Sequence, residues 1–152
     1  MQIDGDEVIE NDFIDKIYNP KEIEFVKDLV QNLSKNIDKY NNIKSIGIIG
    51  LYDWHTRLIK YQIDALDLDK TFKKSGVSIS IGTVEKMQNK EFDMVILSCV
   101  KTKELGNLSD VRILNAALSR AKQKIIILAN FKALKNIEPY YKRELLPEIR
   151  KE

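Results

Sequence analysis

The chain has 152 residues, 43% hydrophobic and 32% charged, with a formal net charge of +2. This is the composition of one globular domain with a core of its own, and it excludes a disordered chain. No apolar run nears the roughly 20 residues of a membrane span, and the acidic N-terminus is unlike a signal peptide.

The single cysteine, Cys99, stands in an apolar run and predicts a buried thiol in a reducing, cytoplasmic setting. The single histidine, His55, leaves no histidine-cluster metal site, so no metal ligands are expected. Charge is unevenly placed: residues 1–100 carry 13 basic and 17 acidic side chains, residues 101–152 carry 12 and 6. A basic C-terminal third suits a phosphate-bearing partner as well as it suits a solvated surface.

Residues 1–15 hold six acidic side chains and no basic one, and read as a flexible lead-in with a short strand around Phe13–Ile14. Residues 16–152 form the domain proper. Asn19-Pro20 starts a helix, with Asn19 as N-cap, Pro20 at the first position and Glu22 closing a capping-box-like pair. Tyr18 and Ile23 have the spacing of a hydrophobic staple. Ile23, Val26, Val30, Leu33 and Ile37 recur at helical intervals, which carries the helix to about Lys39.

Ser45–Gly50 is a short apolar run, a buried strand of a parallel sheet. It leads into a helix from Asp53 through Leu66. Open α/β sheets place ligands beyond the C-terminal ends of their strands, so Tyr52, His55 and Arg57 are cleft candidates, or equally first-turn helix surface. Leu68–Gly76 reads as a polar surface connection. Val77–Ile81 and Val95–Val100 are further strands. Lys101–Ser109 is a polar loop, and Ser109 or Asp110 caps the next helix. Lys124–Ala129 is a last strand, and the tail from Asn136 is partly helical. Strands alternating with helices make an α/β fold with a mostly parallel sheet.

On the helix after Asp110, Arg112, Asn115, Ser119 and Lys122 fall within roughly 80° of one another at about 100° per residue, with Arg120 at the edge of that face. Two readings stay open: a solvated basic face, or a guanidinium aimed at a phosphate. The chain has no G-x-x-x-x-G-K-[ST] phosphate cradle to accompany it.

Several segments then match one pattern in order. They are Tyr18-Asn19-x-x-Glu22; Ile46-Gly47-Ile48-Ile49 followed by Tyr52; Gly82-Thr83-Val84-x-x-x-Gln88-x-x-Glu91-x-Asp93; and Asp110-x-Arg112-x-Leu114-Asn115-x-Ala117-x-Ser119-Arg120-Ala121-Lys122. Together they resemble the second RecA-like domain of superfamily 1 helicases, in the nonsense-mediated-decay (type B) branch. The resemblance runs from about Tyr18 to Asn130.

The resemblance implies a RecA-like, P-loop-NTPase-type three-layer domain that lacks its own Walker A motif. It would be the C-terminal motor domain of an ATP-dependent helicase or translocase on single-stranded DNA or RNA. ATP and Mg2+ would be used only with a first RecA-like domain bearing Walker A and B, and no membrane is involved. By similarity Arg120 is the arginine finger, and Gln88, Glu91, Arg57 and Tyr52 face the nucleotide. Thr83, Lys101 and Asn115 face the nucleic acid.

The chain departs from the family pattern at several places. Gly50-Leu51 replaces Thr-Pro, His55 replaces a glutamine, Asn89 replaces a glycine at a place expected to need positive φ, and Lys101 replaces an arginine. Arg57 also lies one place beyond where some members have a γ-phosphate arginine. His55, Asn89 and Lys101 support the alternative of a degenerate RecA-like domain that binds nucleic acid or protein without turnover.

Overall fold

A computed structural model gives the structure over residues 8–9, 16–100 and 111–129. The strand expected at Phe13–Ile14, the loop at Lys101–Ser109, its capping residues and the C-terminal helix lie outside the described residues. A two-residue strand β1 (Val8–Ile9) pairs antiparallel with β2 (Ile17–Tyr18).

Helix α1 (Pro20–Lys35) starts as its local chemistry demands: the Asn19 Oδ1 accepts from the N–H groups of Lys21 and Glu22 at 3.2 and 3.3 Å. It stops short of the expected Lys39. The Asn36 amide donates to the Asn32 carbonyl and side chain, and a 3-10 turn over Ile37–Lys39 follows, which keeps Ile37 buried.

Strand β3 (Ser45–Gly50) runs into α2 (Asp53–Ala65). The stretch read as a bare connection contains a short helix, α3 (Asp69–Lys74). Phe72, buried on the α1–α2 side of the sheet, holds it down, and Asp69 at its start with Lys73 and Lys74 at its end suits the helix dipole. Strands β4 (Ser78–Thr83) and β5 (Phe92–Ser98) follow, then α4 (Val111–Leu118) and β6 (Ala121–Leu128).

The strands β4-β3-β5-β6 lie side by side in that order, all parallel. Strands β5 and β6 begin earlier than their apolar runs suggested. Asp93 can sit within β5 because its carboxylate accepts the N–H groups of Lys44 and Ser45 at 2.8 and 3.2 Å. In β6 the exposed Lys122 and Gln123 lie on the strand that is at the sheet's edge among the described residues, where charge and polarity are tolerated.

The two faces of the sheet bury different residues, as period-2 alternation requires. Ile46 and Ile48 of β3 with Met94 and Ile96 of β5 pack against α1 and α2. Ile49 of β3 with Val95 and Leu97 of β5 pack against Val84, Met87 and the α4 residue Ala117. The result is a three-layer RecA-like α/β domain with helices on both sides of a parallel sheet.

Candidate functional site

The candidate residues fall at opposite ends of the strands. At the N-terminal edge β5 and β6 begin side by side, with Phe92 opposite Ala121 and the Phe92 N–H donating to the Arg120 carbonyl at 2.7 Å. Arg120 turns directly out of α4, its own N–H donating to the Ala117 carbonyl. This register brings Glu91 and Arg120 to adjacent strand starts. Arg120 is half-buried, and its Nε is buried with no hydrogen-bond partner among the described residues. Leaving such a donor unpaired costs about 1–3 kcal/mol, which an anion delivered to it would recover. Glu91 is exposed, 3.9 Å from the Lys122 ammonium.

Gln88 is exposed on the 84–91 connection, which runs from the end of β4 to Glu91 over the buried Val84 and Met87. Asn89 has φ +60, the conformation expected where the family pattern has glycine, and one that asparagine tolerates. Asn115 is exposed on α4, one turn before Ser119.

At the C-terminal edge lie Tyr52, Arg57 and Thr83. Tyr52 is half-buried against the α4-side core. Arg57 forms an exposed pair with Asp53 at 2.7 Å, and Asp53 also takes Lys86 at 2.7 Å. The Lys86 hydrogen bond leads the effects that hold the Asp53 carboxyl below its usual range. Thr83, expected to face a bound strand, is buried at 7% exposure, in register with Gly50. The set expected to face the nucleotide is therefore divided: Arg120 and Glu91 at one edge, Tyr52 and Arg57 at the other. At ~3.3 Å per residue the length of β5 separates the edges by about 20 Å. Lys101 lies outside the described residues.

His55, a candidate for a ligand cleft or for helix surface, is open to neither ligand nor solvent. It is fully buried in a chain of polar groups that periodicity does not reveal. The Asn19 N–H donates to His55 Nδ1 at 3.2 Å, which leaves the proton on Nε2, and Nε2 meets Ser98 Oγ at 2.7 Å. The Ser98 hydroxyl donates to Glu22 Oε1 at 2.7 Å. Burial pushes the His55 pKa down to about 3, so the ring is neutral. Glu22 does not close a capping box, because His55 has taken the Asn19 N–H and the Glu22 carboxyl has turned inward. The available signal was Ser98, a lone hydroxyl in an apolar run that must find partners when buried.

The network sits where strand order reverses, between β3 and β5, the crevice in which open α/β sheets hold ligands. Here the chain's own Glu22, His55 and Ser98 fill it. Beside them Val100 has φ +70, a left-handed conformation that costs a β-branched residue on the order of 1–3 kcal/mol. A groove of about 550 Å3 along β4 is lined by Asp64, Phe72 and Ile79 among others, and by none of the candidates. Among the described residues no three His, Cys, Asp or Glu side chains converge as metal ligands, and no helix is long and apolar enough to cross a membrane.

A family model described as an AAA domain matches residues 1–132. Over 123 residues the chain is 32% identical to an ATP-dependent helicase of Methanocaldococcus jannaschii, a match covering 81% of this chain and 16% of that protein. It is 33% identical over 126 residues to helicase sen1 of Schizosaccharomyces pombe, covering 78% of this chain and 7% of the relative. A regulator of nonsense transcripts 1 homolog of Neurospora crassa is 37% identical over 93 residues, 59% of this chain and 8% of its own length. The chain thus spans a small fraction of each relative. By its three-layer parallel sheet, its ordered motifs and these matches, the chain belongs to the AAA domain family, as a RecA-like domain of the superfamily 1 helicases of the nonsense-mediated-decay type.

Proposed function

We propose that this chain is the second motor domain of an ATP-dependent helicase or translocase on single-stranded nucleic acid, with Arg120 as its arginine finger. The observation that carries the reading is Arg120 itself: a half-buried guanidinium, its Nε unpartnered among the described residues, beside Glu91 at the start of adjacent strands. Bound ATP with Mg2+ would supply the phosphoryl group and its charge, and a first RecA-like domain would supply the phosphate loop and magnesium ligands. Arg120 would then stabilise charge on the transferring group, as planar, always-charged guanidinium groups do. Glu91 and Gln88 would line the nucleotide side. Asn115, with Lys101 and the strand C-terminal edge, would track a sugar-phosphate backbone, with little base specificity.

The test is ATP hydrolysis by the full-length parent protein, with and without single-stranded DNA or RNA. Arg120→Ala is expected to cut stimulated turnover by roughly 10³–10⁵-fold, and Arg120→Lys to recover little of it because the fork is lost. Unchanged turnover in Arg120→Ala sinks the finger assignment.

A second reading is favoured by His55, whose imidazole is sealed in the core where the family pattern has a glutamine. On that reading the domain binds without supporting turnover. Any strand-stimulated hydrolysis by the parent protein excludes it.

A further inference from the structure

Val100 is the last described residue before the 101–110 segment, and it is an unusual place for valine. Its side chain is fully buried and its backbone is left-handed, a region glycine enters freely and β-branched residues avoid. Such a conformation persists only where the surroundings over-determine it. Both polar groups of Val100 are held by side chains from the start of α1. Its N–H donates to Glu22 Oε1 at 3.1 Å, and its carbonyl accepts from Asn19 Nδ2 at 3.1 Å. These two side chains are themselves fixed. Glu22 Oε1 also takes the Ser98 hydroxyl, Ser98 is held by His55, and Asn19 caps α1 while its N–H is held by His55. Asn19, Glu22, His55 and Ser98 are all buried to 0% exposure.

We infer that Asn19 and Glu22 are positioning residues: they clamp Val100 in its left-handed conformation and so set the direction in which the chain leaves β5. His55 and Ser98 are the buttress behind the clamp. The N-terminus of α1 thereby fixes the exit of β5 at Val100, across a sequence separation of 78 and 81 residues. The consequence for strand binding rests on the motor-domain reading. The conformation of Val100 does not.

The experiment takes two readouts on the full chain. One is the strong intraresidue amide-to-Hα NOE that positive φ gives at Val100. The other is affinity for labelled oligo(dT) and oligo(rU). Glu22→Leu removes the acceptor at similar volume, and Glu22→Gln is the conservative control that keeps an acceptor oxygen. Should Glu22→Leu fail to fold, Asn19→Ser takes its place, keeping a capping oxygen and losing the amide donor.

The expected result is a fall of that NOE to the weaker intensity of negative φ in Glu22→Leu or Asn19→Ser, its full strength in Glu22→Gln, and strand affinity lower by roughly tenfold in the former, the size of one charged hydrogen bond. In a Val100→Gly background, where positive φ carries no strain, the same substitution should cost less. A folded Glu22→Leu or Asn19→Ser chain that keeps the Val100 NOE overturns the clamp, as does a strand-affinity loss of the same size in the Val100→Gly background. If wild type binds neither oligonucleotide while the NOE still collapses in the variants, the clamp stands and the nucleic-acid reading falls.

Discussion

His55 has a single tautomer dictated by its neighbours. A backbone N–H at Nδ1 and a hydroxyl at Nε2 leave no place for a second proton, and burial lowers its pKa to about 3. The unfolded ring binds a proton below about 6.5; the folded ring does not until near 3. The unfolded state therefore holds more protons between those values. This contribution to stability is complete above about pH 6.5 and is lost as pH falls toward 3. At 1.36 kcal/mol per pKa unit it is on the order of a few kcal/mol. Urea unfolding of wild type and His55→Gln from pH 7 to pH 4.5 should show wild type losing stability faster. Parallel curves would refute the buried neutral ring. Asp53 and Asp93, both held below the usual carboxylate range, add acid sensitivity at lower pH, chiefly through the Lys86 hydrogen bond and the Lys44 N–H respectively. His55→Ala at neutral pH removes the partner of both the Asn19 N–H and the Ser98 oxygen and opens a cavity beside them. It should cost about 2–4 kcal/mol by denaturant midpoint.

Among the elements, β3 is, with β5, one of the two central strands of the sheet, and it is covered on both faces. Gly47 is one of its fixed points. A Cβ there would stand 2.4 Å from the Phe92 ring, which lies over β3 as the chain returns from β4 to β5. Gly47→Ala should destabilise the domain by about 1–3 kcal/mol, and Gly47→Val by more. Adding Phe92→Leu should relieve part of the Gly47→Ala penalty in thermal unfolding; strictly additive effects would show that the ring is not the obstacle. The Arg57–Asp53–Lys86 link between α2 and the 84–91 connection is a different case. Its side chains are 42–65% exposed, so Arg57→Ala should change unfolding free energy by less than about 1 kcal/mol.

For the whole molecule, the separation of the candidate residues onto two edges matters most. Arg120 and Glu91 stand at the strand starts, while the Asn19–Glu22 clamp on Val100 stands at the strand ends about 20 Å away. If the proposed roles hold, the two functions separate under mutation. Arg120→Ala should abolish strand-stimulated hydrolysis by the parent protein while leaving strand affinity without nucleotide within about threefold, since distant sites act nearly independently. Glu22→Leu should do the reverse at first order, weakening strand affinity. Equilibrium binding and steady-state turnover on both variants check this, and a matched fall of both quantities in both variants would contradict the spatial division.

What the sequence determined by itself was local. The α/β class, the capped start of α1 at Asn19-Pro20, and the positions of α1, α2 and the four sheet strands to within a few residues follow from periodicity and neighbouring chemistry; the short helix α3 does not, and the order of the motifs ending in Arg120 is carried by the family resemblance. The left-handed backbone of Asn89 was legible only against the family pattern, which has glycine at that place. The tertiary structure alone decided where charge and polarity point. It turned Glu22 inward from a capping role, buried His55 and Thr83, placed Arg120 beside Glu91, and sent Tyr52 and Arg57 to the other edge. These outcomes depend on contacts across 36 to 81 residues and on the strand order β4-β3-β5-β6. Hydrophobic periodicity states which face of an element is buried, but not which polar group will be its neighbour once the sheet assembles.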